Sequence, residues 1–193
     1  MSLDQNLRLA TQVAMSVRKA IPRSANSKES GSPLLESGMA VNSVSWGMLN
    51  AQRARVGRKL PKSDKAWNKS LNKMAKAARK SGAGNCGEVA GVACLELKKR
   101  GGACVEYVQV EDGQSSNSVV PHVIAVLGRD PDGGATADFT NVGTPDTWHP
   151  NAVICDPWAR IAYAAKDYQD FWDGLKSYSD DPEGLYCVVL HRL

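Results

Sequence analysis

The sequence predicts an α+β fold: helical periodicity fills the first half of the chain, and strand-like alternation fills much of the second. The strands follow one another closely enough to pair as an antiparallel meander. At 193 residues the chain suits one domain with a core and is too short for two large ones. A hydrophobic content of 42% with 23% charged residues is the composition of an ordinary globular protein.

Each element follows from local pattern. Residues 4–20 place Leu7, Ala10, Val13, Ala14 and Val17 at helical spacing, and Pro22 ends that helix. Residues 23–38, rich in Ser and Gly, read as a flexible linker, and residues 39–57 as a short helix around Trp46, Leu49 and Arg53. Residues 62–80 form an amphipathic helix capped by Ser63 or Asp64, with Trp67, Leu71, Met74 and Ala78 in one stripe. After the turn at Ser81–Gly84, residues 85–100 form a helix with Asn85 as cap and Lys98, Lys99 and Arg100 at its negative end, stopped by Gly101-Gly102. Strands follow at 103–110, 119–128 and 152–156, with a hairpin loop at 111–118 and a long loop at 129–150. Residues 166–178 suit a helix and 185–192 a final strand. The division expected is an N-terminal helix and flexible segment, residues 1–60, followed by a catalytic body, residues 61–193, that includes the basic helix 62–80.

Charge is unevenly spread. Residues 53–80 carry eleven Lys/Arg against one acid, Asp64, whereas residues 81–193 carry sixteen Asp/Glu against eight Lys/Arg. The basic helix 62–80 is in the first place a solvated face, and in the second a contact for an anionic partner. No base-reading or aromatic-interleaved pattern accompanies it, so nucleic acid is not expected. No apolar run approaches a membrane span, and residues 1–18 lack the basic head and apolar block of a Sec-type signal.

The five cysteines, Cys86, Cys94, Cys104, Cys155 and Cys187, are odd in number and irregular in spacing. That argues against a disulfide framework, and the lack of a Cys-x-x-Cys pair argues against structural zinc. No metal or cofactor is expected. Four of the five read as small buried apolar residues. Cys86 differs. It opens a helix, where unpaired N–H groups and a partial positive charge favour a thiolate and can hold an oxyanion. Gly84 and Gly87 beside it suggest room for a substrate backbone.

Two further residues complete a constellation. His122 sits in the apolar run 119–127, where a lone His is ordinarily a core residue; Pro121 before it suggests a sheet edge facing a cleft. Asp156 ends the apolar strand AVICD, where an unpaired carboxylate is costly and an imidazole N–H would serve it. The alternative for Asp156 is a plain Asp-Pro turn. Trp158 is placed to roof the pair. Cys86, His122 and Asp156 thus read as nucleophile, base and orienting residue. His149, in the polar loop, is the rival base; His191, near the C-terminus, is not expected to take part. The Asn85 side chain is the candidate for an oxyanion donor.

The segments GNCGEVAGVA, PHVIAVLG and WHPNAVICDPWA, within residues 84–160, resemble the core of papain-fold toxins and type III secreted effectors of bacteria. The pattern is similar to YopT/AvrPphB-like cysteine proteases, to glutamine deamidases related to the Pasteurella toxin catalytic domain, and to the transglutaminase-like core. The resemblance implies a papain-like fold, the triad Cys86, His122 and Asp156, a protein substrate, possession of no cofactor, and secretion into a host cell. The loop between His122 and Asp156 is longer than in many such effectors. The expected activity is that of a thiol hydrolase forming a thioester: protease, deamidase and transglutaminase share this chemistry. The alternative is a non-catalytic interaction protein docking through helix 62–80.

Overall fold

A computed structural model describes residues 1–24, 61, 63–111, 122–130, 140–176 and 184–193. The expected helix around Trp46, Leu49 and Arg53, most of the linker, and the 112–118 part of the hairpin loop lie outside these residues.

Helix α1 (Leu3–Ala20) starts with a reciprocal cap: the Ser2 hydroxyl accepts from the Gln5 N–H at 3.3 Å, and Gln5 Oε1 accepts from the Ser2 N–H at 2.9 Å. Its apolar stripe, Ala10, Val13, Ala14 and Val17, is buried. The chain then runs through Ile21 into β1 (Arg23–Ser24). Helix α2 (Asp64–Ser81) is capped by Ser63, whose hydroxyl accepts from the Ala66 N–H. It buries Trp67, Leu71, Ala75 and Ala78, so Ala75 takes the fully covered position expected of Met74. Strand β2 (Ala83–Gly84) pairs in parallel with β1 and leads directly into α3 (Cys86–Lys99).

Strands β3 (Val105–Glu111), β4 (His122–Leu127), β5 (Thr140–Asn141), β6 (Val153–Asp156), β7 (Ile161–Ala164) and β8 (Tyr186–Arg192) form one antiparallel sheet in the order β5-β8-β3-β4-β6-β7. Between β7 and β8 lie a 3-10 turn (Ala165–Asp167) and helix α4 (Gln169–Lys176). The architecture is therefore α+β. Strands β5 and β7 and the pair β1/β2 were not anticipated from sequence, being two to four residues long, too short to show alternation.

The sheet is covered on both faces. Helices α1, α2 and α3 pack over Val105, Tyr107, Val123, Ala125, Leu127, Val153 and Cys155. On the other face Trp148, Tyr168, Phe171, Trp172 and Leu175 pack over Val108, Val110, Ile124, Val126, Ile154 and Val189. Two-sided burial explains why 122–127 reads as an unbroken apolar run rather than an alternating one. Because α1 shares its core with α3 and β6, the expected boundary near residue 60 does not separate α1 from the body.

Two-sided burial also traps a charge. Glu106 is fully buried, and its carboxylate accepts from Arg129 Nε (2.7 Å) and Nη2 (2.9 Å) and from Arg192 Nε (2.9 Å) and Nη2 (2.6 Å). The cluster ties β3, the end of β4 and β8 together. Removing the carboxylate leaves two largely buried guanidiniums without their acceptor, so Glu106→Ala is expected to cost about 3–5 kcal/mol. Urea denaturation of the variant against Arg192→Met checks this, with the single arginine loss expected to be the milder of the two.

Candidate active site

Topology brings the chain's candidate chemistry to one end of the sheet. Helix α3 and strand β3 run in opposite directions, and β4 runs back against β3, so the start of α3 and the start of β4 lie at the same end. Cys86 is the first residue of the one, and His122 the first of the other.

Pro121, expected to mark a sheet edge, lies outside the described residues. Strand β4 is interior, between β3 and β6. Pairing with β6, however, stops at Ala125–Cys155, so His122 extends past the paired end and has neighbours on one side only within the sheet. Continuing that register sets Asp156 opposite Ile124, and His122 one diagonal step away on the same face. Diagonal positions are about 7–8 Å apart, a gap that an imidazole and a carboxylate bridge.

They do so at 2.5 Å, His122 Nε2 to Asp156 Oδ2. His122 is 5% exposed and Asp156 0%. The other carboxylate oxygen, Oδ1, accepts from the backbone N–H groups of Trp158 and Ala159, each at 3.1 Å. Every direction of the carboxylate is thus supplied: by the ring on one side and by the turn that follows β6 on the other. The Asp-Pro turn and the His partnership, alternatives in the sequence, coexist. Trp158 meets the His122 ring edge-on at 5.4 Å, and Phe171 lies at 5.5 Å. Together they wall the imidazole from water.

Cys86 is half-buried at the head of α3 and hydrogen-bonds His122. Since Nε2 is held by Asp156, the sulfur faces Nδ1. Burial by itself lowers the proton affinity of His122, but the charge and hydrogen bond of Asp156, then the contact with Cys86, outweigh it and raise the pKa from 6.5 to about 10. Both partners thus favour the protonated ring.

The surroundings of Cys86 are built by α3 itself. Asn85 caps the helix: its backbone N–H donates to Glu88 Oε2 at 2.9 Å. The reciprocal approach of the Asn85 side chain to the Glu88 N–H is looser and leaves Oδ1 buried without a well-formed bond. Gly84 and Gly87 are small for a different reason from the one expected. A Cβ on Gly84 would meet Glu88 Cβ at 3.1 Å and Ile21 Cγ2 at 3.6 Å, and one on Gly87 would meet the Tyr107 hydroxyl at 3.1 Å. Both lie against neighbouring protein. The Tyr107 hydroxyl donates to the Gly87 carbonyl at 3.1 Å and fixes the first turn of α3 to the sheet. Its role was not anticipated; its place on the helix-covered face of β3 was the only signal.

The remaining cysteines and histidines separate cleanly. Burial pushes the thiols of Cys94, Cys155 and Cys187 up, away from thiolate. His149 is exposed, accepts from the Asn151 backbone N–H at 3.0 Å through Nδ1, and donates its backbone N–H to the Arg129 carbonyl. Arg129 lies past the far end of β4, about 20 Å from His122 at strand spacing, so the rival base is at the wrong end of the sheet. His191 is buried and stacked on Trp67 at 5.7 Å. Among the described residues no group of three or more His, Cys, Asp and Glu side chains could hold a metal ion. Among the same residues no helix is long and apolar enough to cross a membrane.

No family model, curated protein or solved structure matches the chain. The functional reading is therefore carried by the geometry of Cys86, His122 and Asp156 and not by kinship.

The raised pKa has a consequence for stability. The folded protein holds a proton on His122 that the unfolded chain releases above about pH 6.5. This stabilisation is complete below pH 6.5, declines as pH rises, and is lost above about pH 10. Urea midpoints of the wild type should fall across this range, and those of His122→Gln should fall less steeply.

Proposed function

We propose that the protein is a thiol hydrolase acting on a carboxamide of a protein substrate. The single observation that carries the reading is the buried His122 ring held between the Asp156 carboxylate and the Cys86 sulfur at a helix N-terminus.

In the proposed reaction Cys86 attacks the carbonyl carbon as a thiolate, its proton having passed to His122, as the C–O π bond opens to an oxyanion. First-turn N–H groups of α3, which point along the helix axis toward this end, stabilise that oxyanion. The Asn85 side chain is the further donor proposed for the same role. The His122 imidazolium, through Nδ1, gives its proton to the departing nitrogen as the C–N bond breaks, leaving a thioester on Cys86. Water then attacks the thioester carbon while His122 takes its proton; the thiolate leaves, a carboxylic acid is released, and the starting thiolate and protonated ring are restored. Asp156 does not take up the proton. It keeps Nδ1 toward the sulfur and stabilises the charged ring. Trp158 and Phe171 exclude water around the ring, which strengthens both contacts.

Up to the thioester the chemistry is the same for a peptide bond and a Gln side chain, and either water or an amine can then resolve it. The resemblance to papain-fold effectors supports a papain-like core and a secreted protein acting on a host protein. A second reading has one observation in its favour: Lys65, Lys69, Lys73, Lys76 and Lys80 of α2 are all exposed on one helix, a surface suited to an anionic partner. In that reading the fold docks and does not catalyse.

A thiol-reactive amide probe at neutral pH separates the two. Labelling should be lost in Cys86→Ala and kept in Cys94→Ala; absence of Cys86-dependent labelling would favour the docking protein. With a substrate in hand, Asp156→Asn should lower turnover about a thousandfold or more. Mass spectrometry of treated proteins then names the reaction: about one dalton gained on Gln for deamidation, a cut chain for proteolysis, an added amine for transglutamination.

A further inference from the structure

Helix α2 carries its charges in two sets. One set is paired with the body: Asp64 lies 3.8 Å from His191 Nδ1 on β8, and the Arg79 guanidinium donates to Glu96 of α3. The other set is Lys65, Lys69, Lys73, Lys76 and Lys80. All five are exposed, and among the described residues none has an ion-pair or hydrogen-bond partner. At α-helical pitch they fall within an arc of about 80°, on a stripe about 22 Å long, and Asp64 lies at least about 100° away round the helix. Solvated helix faces ordinarily mix charges of both signs, so that neighbours three or four residues apart attract. Here every step along the stripe joins like charges, which repel.

The rest of the helix surface decides the class of partner. No apolar residue of α2 is exposed: Trp67, Leu71, Ala75, Ala77 and Ala78 are buried, and Ala66 and Met74 are half-buried. A protein partner is anchored by apolar or aromatic side chains, and a single strand of nucleic acid by aromatic platforms. The stripe has neither on its own helix. Lysine carries its charge as a compact, hydrated ammonium on a flexible stem, which suits diffuse negative charge better than the fixed fork of one carboxylate or phosphate. A straight row of such charges matches a flat surface of smeared anionic charge, as the headgroups of an acidic lipid layer present. The apolar face of α2 is spent on the core, so the helix can lie on such a layer without entering it.

We propose that the lysine stripe of α2 docks the protein reversibly on an anionic lipid surface, held by charge alone. The inference rests on the basic surface of the second reading and gives it a partner. It does not rest on the reactivity of Cys86, so labelling of Cys86 and binding to lipid are separate readouts that can fail separately. The docked helix ends beside the candidate nucleophile: from Lys80 the chain turns at Gly82 and runs through β2 into Cys86. Each lysine near the surface strengthens binding about fivefold, so five give a dissociation constant on the order of 0.1 mM lipid.

Co-sedimentation with vesicles tests this. The full chain should bind phosphatidylcholine vesicles containing about 30% phosphatidylserine and not vesicles of phosphatidylcholine alone, and about 0.5 M sodium chloride should release it. The triple variant Lys69→Gln, Lys73→Gln, Lys76→Gln should bind about a hundredfold more weakly, and the double variant Lys65→Gln, Lys80→Gln about twentyfold. The two variants share no position, so one keeps the test sound if the other misfolds. Lys19→Gln, Lys99→Gln, Lys166→Gln removes the same net charge from exposed positions elsewhere and should weaken binding far less. Equal binding to both kinds of vesicle, or equal weakening by the two triple variants, would overturn the proposal. So would release from the vesicles by duplex DNA or polyglutamate at equal charge concentration, which would assign the stripe to a nucleic acid or an acidic protein.

Discussion

A carboxylate with no exposed surface must find a donor for each of its lone pairs or give up its charge. Asp156 meets this demand with the His122 ring at Oδ2 and two backbone N–H groups at Oδ1. The rest of the site follows from that pairing. It fixes which ring nitrogen is left for Cys86, it favours the protonated ring, and it pins the 157–160 turn whose backbone completes the carboxylate's shell. The sheet register holds the pair together: β4 and β6 deliver the two side chains to the same face, one diagonal step apart.

The layers on either side of the sheet serve this arrangement differently. The helical layer brings the sulfur, because α3 must run antiparallel to β3 and so begins where β4 begins. Tyr107 and the two closely packed glycines, Gly84 and Gly87, hold that helix end in place. The opposite layer brings Phe171 against the ring, and the 157–160 turn brings Trp158. At the far end of β4 the Glu106–Arg129–Arg192 cluster fixes the other extremity of the same strands. The sulfur and the imidazole are thus mounted on regular elements and not on loops, which is the more rigid way to hold reacting groups.

Local properties were legible in the sequence. The cap at Asn85, the helix opening at Cys86, the apolar strand ending in Asp156 and the placing of Trp158 above it depend on neighbours a few residues away, and periodicity reports on those. The partnership of His122 with Asp156, 34 residues apart, was expected from their residue types, but its diagonal register was not legible, nor was what else depends on residues distant in the chain. The exile of His149 to the far end of the sheet, the burial of Glu106 between two arginines and the packing of Tyr107 under Gly87 follow from which strands became neighbours and from both faces being covered. A sequence carries the chemistry of each side chain and the pitch of each element. Only the packed sheet, by removing water from some of those side chains and setting distances between them, decided which ones act on one another.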